Sequence, residues 1–181
     1  MDQKKLEQAA RLIIEAVGED PKREGLLETP RRFAEMVAEQ LAYAAVPNEE
    51  IARAFDKTFS SPESDMVVVK DISLFSHCED HIALMYNMKA AVGYIPRGRV
   101  IGLSKIARIA DAVSKRLQIQ ERIGADIRDI MERITGAGDV IVLLEGEHSC
   151  MTARGIRKPG TLTRTISASG RFRTCLLYTS D

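Results

Sequence analysis

Residues 100–134 read VIGLSKIARIADAVSKRLQIQERIGADIRDIMERI, and this stretch decides the fold. Its apolar residues recur every three to four positions, which predicts two consecutive amphipathic helices, over 105–117 and 120–134. Four segments rich in β-branched and apolar residues flank the helices, two on each side, and each predicts a strand. These segments are 66–75, 90–95, 139–147 and 161–172. Strand pairs on both sides of a helix pair favour an antiparallel α+β unit over a doubly wound parallel sheet.

The N-terminal part of the chain predicts a helical arm. Residues 3–17 carry their apolar side chains on one stripe. Thr29-Pro30 predicts an N-cap and the first position of a second helix over 31–45. Two helices are too few to enclose a core, so we expect the arm to pack on the main domain or on another subunit. The predicted division is an arm over 1–60, a main domain over 61–173 and an atypical tail over 174–181.

Composition narrows the class of protein. Lysine plus arginine and aspartate plus glutamate number 26 each, so no global field indicates nucleic acid or membrane as a partner. No apolar run approaches the roughly 20 residues of a membrane span, and the N-terminus MDQKKLEQAA lacks the apolar stretch of a signal peptide. Three cysteines make no disulfide framework, which favours a reducing compartment. The composition predicts a soluble cytoplasmic protein.

Soft metal ligands fall in two short segments. The first reads CEDH from Cys78 to His81, and the second reads HSC from His148 to Cys150. They hold two of the three cysteines and two of the three histidines. Catalytic zinc sites typically use three thiolate or imidazole ligands and leave the fourth position to water. Cys78, His81 and Cys150 would supply the three ligands, and His148 would remain as a proton carrier.

The predicted strands suggest how these two segments meet. Cys78 and His81 would lie at a bend at a strand end, and His148 and Cys150, two apart on a strand, would point to one face. The alternative is that both cysteines are ordinary buried cysteines, which are common. His77 should face away from Cys78, which favours a core or surface histidine over a fourth ligand.

Three segments suggest an anionic, ring-containing ligand. Ser104 is the predicted N-cap of a helix whose N-terminus suits phosphate, and Lys105 and Arg108 share one face of it. A basic loop beginning at Arg154 follows the second ligand segment, where a polyanion would be clamped. The carboxylate of Glu121 could read a guanine edge. Ordinary solvated charges at helix ends and turns are the alternative for each segment.

Taken together and in this order, the segments resemble the GTP cyclohydrolase I family over residues 23–173. The matching segments are REGLLETP from 23, YIP from 94, VIGLSK from 100, QIQER from 118, HSCM from 148 and RGI from 154. The resemblance implies a tunnelling fold, which is an antiparallel sheet with two packed helices, assembled into a homodecameric ring. It also implies active sites where neighbouring subunits meet, so that one chain carries an incomplete site.

The resemblance further implies a reaction and a role for each residue. Water activated by Zn²⁺ opens the guanine ring of GTP, formate leaves, and 7,8-dihydroneopterin triphosphate forms. The implied zinc ligands are Cys78, His81 and Cys150, and the implied proton carrier is His148. The implied substrate contacts are Ser104, Lys105, Arg108 and Arg154 for the triphosphate and Gln120 and Glu121 for guanine. Arg32 of the arm would add a phosphate contact.

The chain departs from the family pattern at Asp80. The family reads Cys-Glu-His-His where this chain reads CEDH, and the missing histidine is a catalytic one that faces substrate. A carboxylate accepts a hydrogen bond but donates a proton poorly at neutral pH, and its charge would lie near a polyanion. We therefore expect zinc binding to survive and turnover to be impaired, unless Asp80 itself joins the zinc ligands. The alternative function is a non-catalytic, zinc-stabilised homologue that binds nucleotides or pterins.

The C-terminal end is the second departure. The last eight residues, TCLLYTSD from Thr174, match nothing in the family pattern. No function is assigned to Cys175.

Overall fold

The second of two structural units carries a five-stranded sheet with two long helices on it. The computed structural model describes residues 1–175, and the units are Met1–Ala44 and Ala45–Asp181. The predicted arm over 1–60 spans the first unit and the beginning of the second, and its boundary stays a prediction. The predicted tail over 174–181 lies almost wholly outside the described residues, as does the Cys175 side chain.

The first unit is helical. Helix α1 spans Gln3–Ala16, and α2 spans Thr29–Gln40 after a short 3₁₀ turn at Glu24–Leu26. Asp2 caps α1 because its carboxylate accepts the backbone N–H of Lys5 at 3.1 Å. The predicted N-cap of α2 is wrong by one residue, since Glu28 occupies the cap position and Thr29 is already helical, and the helix predicted over 31–45 ends at Gln40.

The second unit contains both helices and strands. It begins with α3 at Asn48–Phe55 and β1 at Thr58–Ser60, neither of which the sequence pattern predicts. The predicted elements follow in the predicted order. They are β2 at Val67–Cys78, β3 at Ala83–Tyr94, α4 at Leu103–Ser114, α5 at Gln120–Thr135, β6 at Val140–His148 and β7 at Thr163–Ala168. Four short elements that the sequence pattern does not predict accompany them: β4 at Arg99–Ile101, β5 at Leu117–Gln118, α6 at Ser149–Thr152 and α7 at Arg171–Cys175.

The sheet order is β5-β2-β3-β6-β7, and every neighbouring pair is antiparallel except β5 with β2. Strands β1 and β4 form a separate antiparallel pair. Helix α4 packs on β2, and α5 packs on β6 and β7. The predicted α+β class, an antiparallel sheet with two packed helices, is confirmed.

The core lies between the two long helices and the sheet. Each helix buries one apolar stripe, as the 3.6-residue period requires. The sheet packs against these stripes with every second residue of its central strands. From α4 the buried residues include Ile106, Ile109 and Val113, from α5 Ile123, Ile127, Ile130 and Met131, and from the strands Met85, Met88, Val92, Val142 and Leu144.

A polar cluster fixes the start of α5 against α3 and β5. The Asp126 carboxylate accepts hydrogen bonds from Arg116 Nη1 and Gln118 Nε2, both at 3.0 Å, and from Asn48 Nδ2 at 3.2 Å. Arg116 and Asp126 are mostly buried, with side chains 12% and 18% exposed. Breaking such a pair leaves a buried charge unpaired, so the cluster holds these three elements in one arrangement.

Two further predictions about this unit are wrong. Ser104 is not the N-cap of α4, because Gly102 occupies that position and Ser104 lies in the first turn. The last strand ends at Ala168, since Gly170 adopts a φ of 54° and the chain turns into α7. Glycine suits that left-handed position, and the Asp139 carboxylate accepts the backbone N–H of Arg171 at 2.8 Å.

None of the helices within residues 1–175 combines the length and apolarity that crossing a bilayer requires.

Candidate metal and active site

Strand register brings the two ligand segments to one end of the sheet. Cys78 ends β2 and pairs with Ala83 at the start of β3, while Met85 of β3 pairs with His148 at the end of β6. The ligand atoms of Cys78, His81 and Cys150 consequently lie within 4.8 Å of one another. The predicted trio is thus assembled within a single chain.

The turn that presents His81 is tight. It spans residues 79–82, and the backbone N–H of His81 donates to the carbonyl of Cys78 at 3.4 Å. Ile82 closes the turn with a φ of 49°. A β-branched residue rarely adopts that conformation, which costs on the order of 1–3 kcal/mol and is typical of functional sites.

Cys150 reaches the cluster in a way that strand alternation does not predict. It lies in α6, the single helical turn that directly follows β6, so the predicted i, i+2 strand geometry with His148 is wrong. The hydroxyl groups of Tyr86 and Thr152 lie 3.0 Å apart and join this turn to β3. The helical turn thereby carries Cys150 back toward the end of β2.

The donor set fits one zinc ion. Zinc binds thiolate sulfur at about 2.3 Å and imidazole nitrogen at about 2.0–2.1 Å, so one ion spans separations of this size. Burial raises the pKa of the Cys150 thiol, and the adjacent Cys78 sulfur raises it further. A divalent cation bound at Cys150 would favour its deprotonated form, since metal ligands bind deprotonated.

His77 stands apart from this cluster, as predicted. It is buried, and its ring makes an edge-to-face contact with Phe75 at 6.4 Å between centroids. Burial lowers the pKa of His77, so the neutral ring is favoured there.

His148 lies beside the cluster in a half-buried position. Its Nε2 is 2.9 Å from Oε1 of Gln120, the first residue of α5. Burial lowers the pKa of His148, and the negative charge of Glu121 opposes that shift. Glu121 itself is exposed, so its carboxylate is accessible to a ligand.

An ion pair that the sequence pattern does not reveal joins the turn at residues 79–82, called the metal-binding turn below because it carries His81, to α5. Arg122 Nη1 and Nη2 donate to the two carboxylate oxygens of Glu79 at 2.6 and 3.0 Å, and this hydrogen bond lowers the pKa of Glu79. The backbone N–H of Glu79 also donates to the carbonyl of Gln118 at 3.0 Å. The residues of the ion pair are 43 positions apart, and no spacing rule links them.

Two more predicted site residues lie at the same end of the sheet. Arg154 is exposed and donates from Nη1 to Nε2 of His81 at 3.1 Å. Asp80 occupies the metal-binding turn with an exposed side chain, and it is not a member of the three-ligand group.

The predicted phosphate residues of α4 lie elsewhere. The backbone carbonyl of Ser114, at the C-terminal end of α4, accepts a hydrogen bond from the hydroxyl of Ser76, two residues before Cys78, whereas Ser104 and Lys105 lie in the first turn of α4 and Arg108 lies near its middle. The 12 residues of α4 span about 18 Å at 1.5 Å per residue. Lys105 instead places its ammonium 5.8 Å from the centre of the Phe55 ring. Along the helix, Ser104 and Lys105 are therefore about 14–15 Å from Ser114, and Arg108 is about 9 Å from it.

Arg32 belongs to the first unit, where it is an exposed residue of α2. Its phosphate contact stays a prediction.

Comparison with known proteins identifies the family of this chain. Among solved structures, the apo archaeosine synthase QueF-Like is 18% identical, with a TM-score of 0.47 over 61% of this chain and 96% of that one. GTP cyclohydrolase 1 of Clostridium acetobutylicum is 55% identical over 178 residues, covering 96% of this chain and 91% of the relative. GTP cyclohydrolase 1 of Clostridium botulinum (strain Kyoto / Type A2) is 54% identical over 180 residues, covering 96% and 92%.

The sequence profile of GTP cyclohydrolase I matches residues 6–176, nearly the whole chain. With these identities and this coverage, the chain belongs to the GTP cyclohydrolase I family.

Proposed function

We propose that the protein hydrolyses the guanine ring of GTP, releases formate and forms 7,8-dihydroneopterin triphosphate. The observation that carries the proposal is the gathering of Cys78, His81 and Cys150 within 4.8 Å, beside His148, in a member of the GTP cyclohydrolase I family. These three residues would hold a zinc ion, which lowers the pKa of a bound water to about 7.

Three further side chains at this end of the sheet would transfer protons, bind guanine and bind the triphosphate. His148 is suited to carry a proton to and from a nitrogen of the imidazole ring of guanine, because a neutral imidazole both accepts and donates. The exposed carboxylate of Glu121 would accept N–H bonds from the guanine edge. Arg154, exposed beside His81, would bind the triphosphate.

The triphosphate would need a second copy of the chain. Ser104 and Lys105 lie about 14–15 Å along α4 from Ser114 at the metal end and Arg108 about 9 Å, at 1.5 Å per residue, so we infer that a neighbouring subunit supplies them. Subunits that contribute different surfaces to one contact form a closed ring when the rotation between neighbours closes. This agrees with the homodecamer that the family resemblance implies.

The non-catalytic homologue is the second candidate, and Asp80 is the observation that favours it. The residue is exposed in the metal-binding turn, where the family pattern has a histidine. Loss of a well-placed acid or base costs on the order of 10²–10⁴ in rate. Such a loss would leave ligand binding and zinc in place.

The first prediction concerns metal and product. The zinc-loaded protein should release formate from GTP and form a fluorescent neopterin product, and Cys150→Ser should lose both zinc and turnover. His77→Leu is the matched control, because it replaces a buried neighbour of Cys78 that is not a ligand, and it should retain a full zinc content. Metal analysis and both product assays check this. Wild-type turnover after complete zinc removal would contradict it.

The second prediction concerns Asp80. Asp80→His should leave zinc content unchanged and raise kcat by on the order of 10²–10⁴, since it restores a proton donor and removes a charge beside the polyanion. Asp65→His is the control, because Asp65 is also exposed but precedes β2 at the opposite end of the sheet. Steady-state kinetics of formate release measure both. A wild-type rate equal to that of Asp80→His would show that the aspartate does not impair turnover.

The third prediction tests the shared site by complementation. Lys105→Ala and His148→Ala should each be inactive alone, because each removes one half of every site. When both are co-expressed, random assembly should restore activity at about a quarter of the interfaces of a ring. Activity of the co-purified mixture is compared with that of each variant. A mixture as inactive as its components would place both residues in the same subunit's site.

A further inference from the structure

Gln120 is the least exposed of the predicted substrate contacts. Its side chain is only 1% exposed. Its amide nitrogen donates to the carbonyl oxygens of Leu144 at 3.3 Å and Thr163 at 2.9 Å, and lies 3.3 Å from the Thr165 hydroxyl. Its amide oxygen faces His148 Nε2 at 2.9 Å. Both polar ends of the side chain are therefore engaged within the protein.

The partners of Gln120 fix which way its amide points. Carbonyl oxygens only accept hydrogen bonds, so the NH₂ group must face Leu144 and Thr163. The reverse orientation would set the amide oxygen against two carbonyl oxygens in a buried site, with only the Thr165 hydroxyl able to donate to it, and would set the NH₂ group toward His148. The oxygen must therefore face His148.

That orientation determines the protonation of His148. An amide oxygen only accepts, so Nε2 of His148 must carry the proton that it donates to Gln120. In the neutral imidazole the other nitrogen, Nδ1, then carries the lone pair. Nδ1 is therefore the ring nitrogen that Gln120 does not engage.

The neighbouring residue faces the other way. Successive residues of a helix are rotated by about 100°, so Gln120 points into the sheet while Glu121 is exposed. In the first turn of α5, the Gln120 side chain therefore contacts His148, and the Glu121 side chain faces solvent.

We propose that Gln120 is a positioning residue that holds His148 in the Nε2–H tautomer, so that Nδ1 is the ring nitrogen presented to the substrate, and that guanine is bound without the Gln120 side chain. The proposal rests on the proposed function for its reaction, but its structural part does not. It assigns a different task to each residue of the Gln120-Glu121 pair.

The test combines spectroscopy with kinetics. Solid-state ¹⁵N NMR of histidine-labelled, zinc-loaded protein separates protonated from unprotonated ring nitrogens in an assembly of any size. The chain has only three histidines, and His148→Gln assigns the signals of His148 by their loss. The variant is Gln120→Met. The matched control is Gln118→Met, since Gln118 is also 1% exposed and hydrogen-bonded but contacts Val113 and Asp126 instead.

We expect wild-type His148 to show a protonated Nε2 and an unprotonated Nδ1. Gln120→Met should mix the two tautomers and lower kcat about 10- to 100-fold, the usual range for groups that orient a catalytic histidine or metal ligand, with KM nearly unchanged. Gln118→Met should keep the wild-type tautomer.

Three results would overturn the proposal. They are a wild-type His148 protonated at Nδ1, a tautomer unchanged in Gln120→Met, and a rise in KM with unchanged kcat, which would indicate a direct guanine contact. The wild-type spectrum needs no variant to fold. If even the wild type failed to turn over GTP, the proposed function would fail, and the spectrum would still decide the tautomer.

Discussion

The antiparallel register of β3 with both of its neighbours is the constraint on which the site depends. It places the C-terminal ends of β2 and β6, which carry Cys78 and His148, at the same end of the sheet. Side chains alternate between faces along a strand, so a shift of one residue would turn His148 to the opposite face. The buried core residues of β3, β6 and α5 hold that register. Metal-site geometry is thus fixed by packing that lies far from the ligands.

The start of α5 links the core to the chemistry. Its first three residues face three surroundings: Gln120 contacts His148, Glu121 is exposed, and Arg122 pairs with Glu79 in the metal-binding turn. The buried cluster around Asp126 holds the same helix against β5. Ser104 and Lys105, which the family resemblance predicts to bind phosphate, lie at the opposite end of α4, and on that prediction we infer that a neighbouring subunit would complete the site.

Much of this arrangement follows from the sequence. Helix periods predict α4 and α5, and the C-x-x-H spacing predicts two ligands on one bend. Residue spacing does not predict the helical turn that carries Cys150, because a strand and a single turn of helix both place residue 150 near residue 148. It also misses the Glu79–Arg122 pair, which depends on tertiary contact alone. The burial of Gln120 could have been predicted, since it continues the apolar stripe of Ile123, Ile127 and Ile130.

Zinc K-edge X-ray absorption of the zinc-loaded protein tests the metal site most directly, because it counts the atoms bound to the ion. We expect two sulfur ligands at about 2.3 Å, from Cys78 and Cys150, with the remaining ligands being nitrogen or oxygen at about 2.0–2.1 Å. One sulfur should be lost in Cys150→Ser. A shell of nitrogen and oxygen alone, or a sulfur count unchanged by Cys150→Ser, would contradict the site described here.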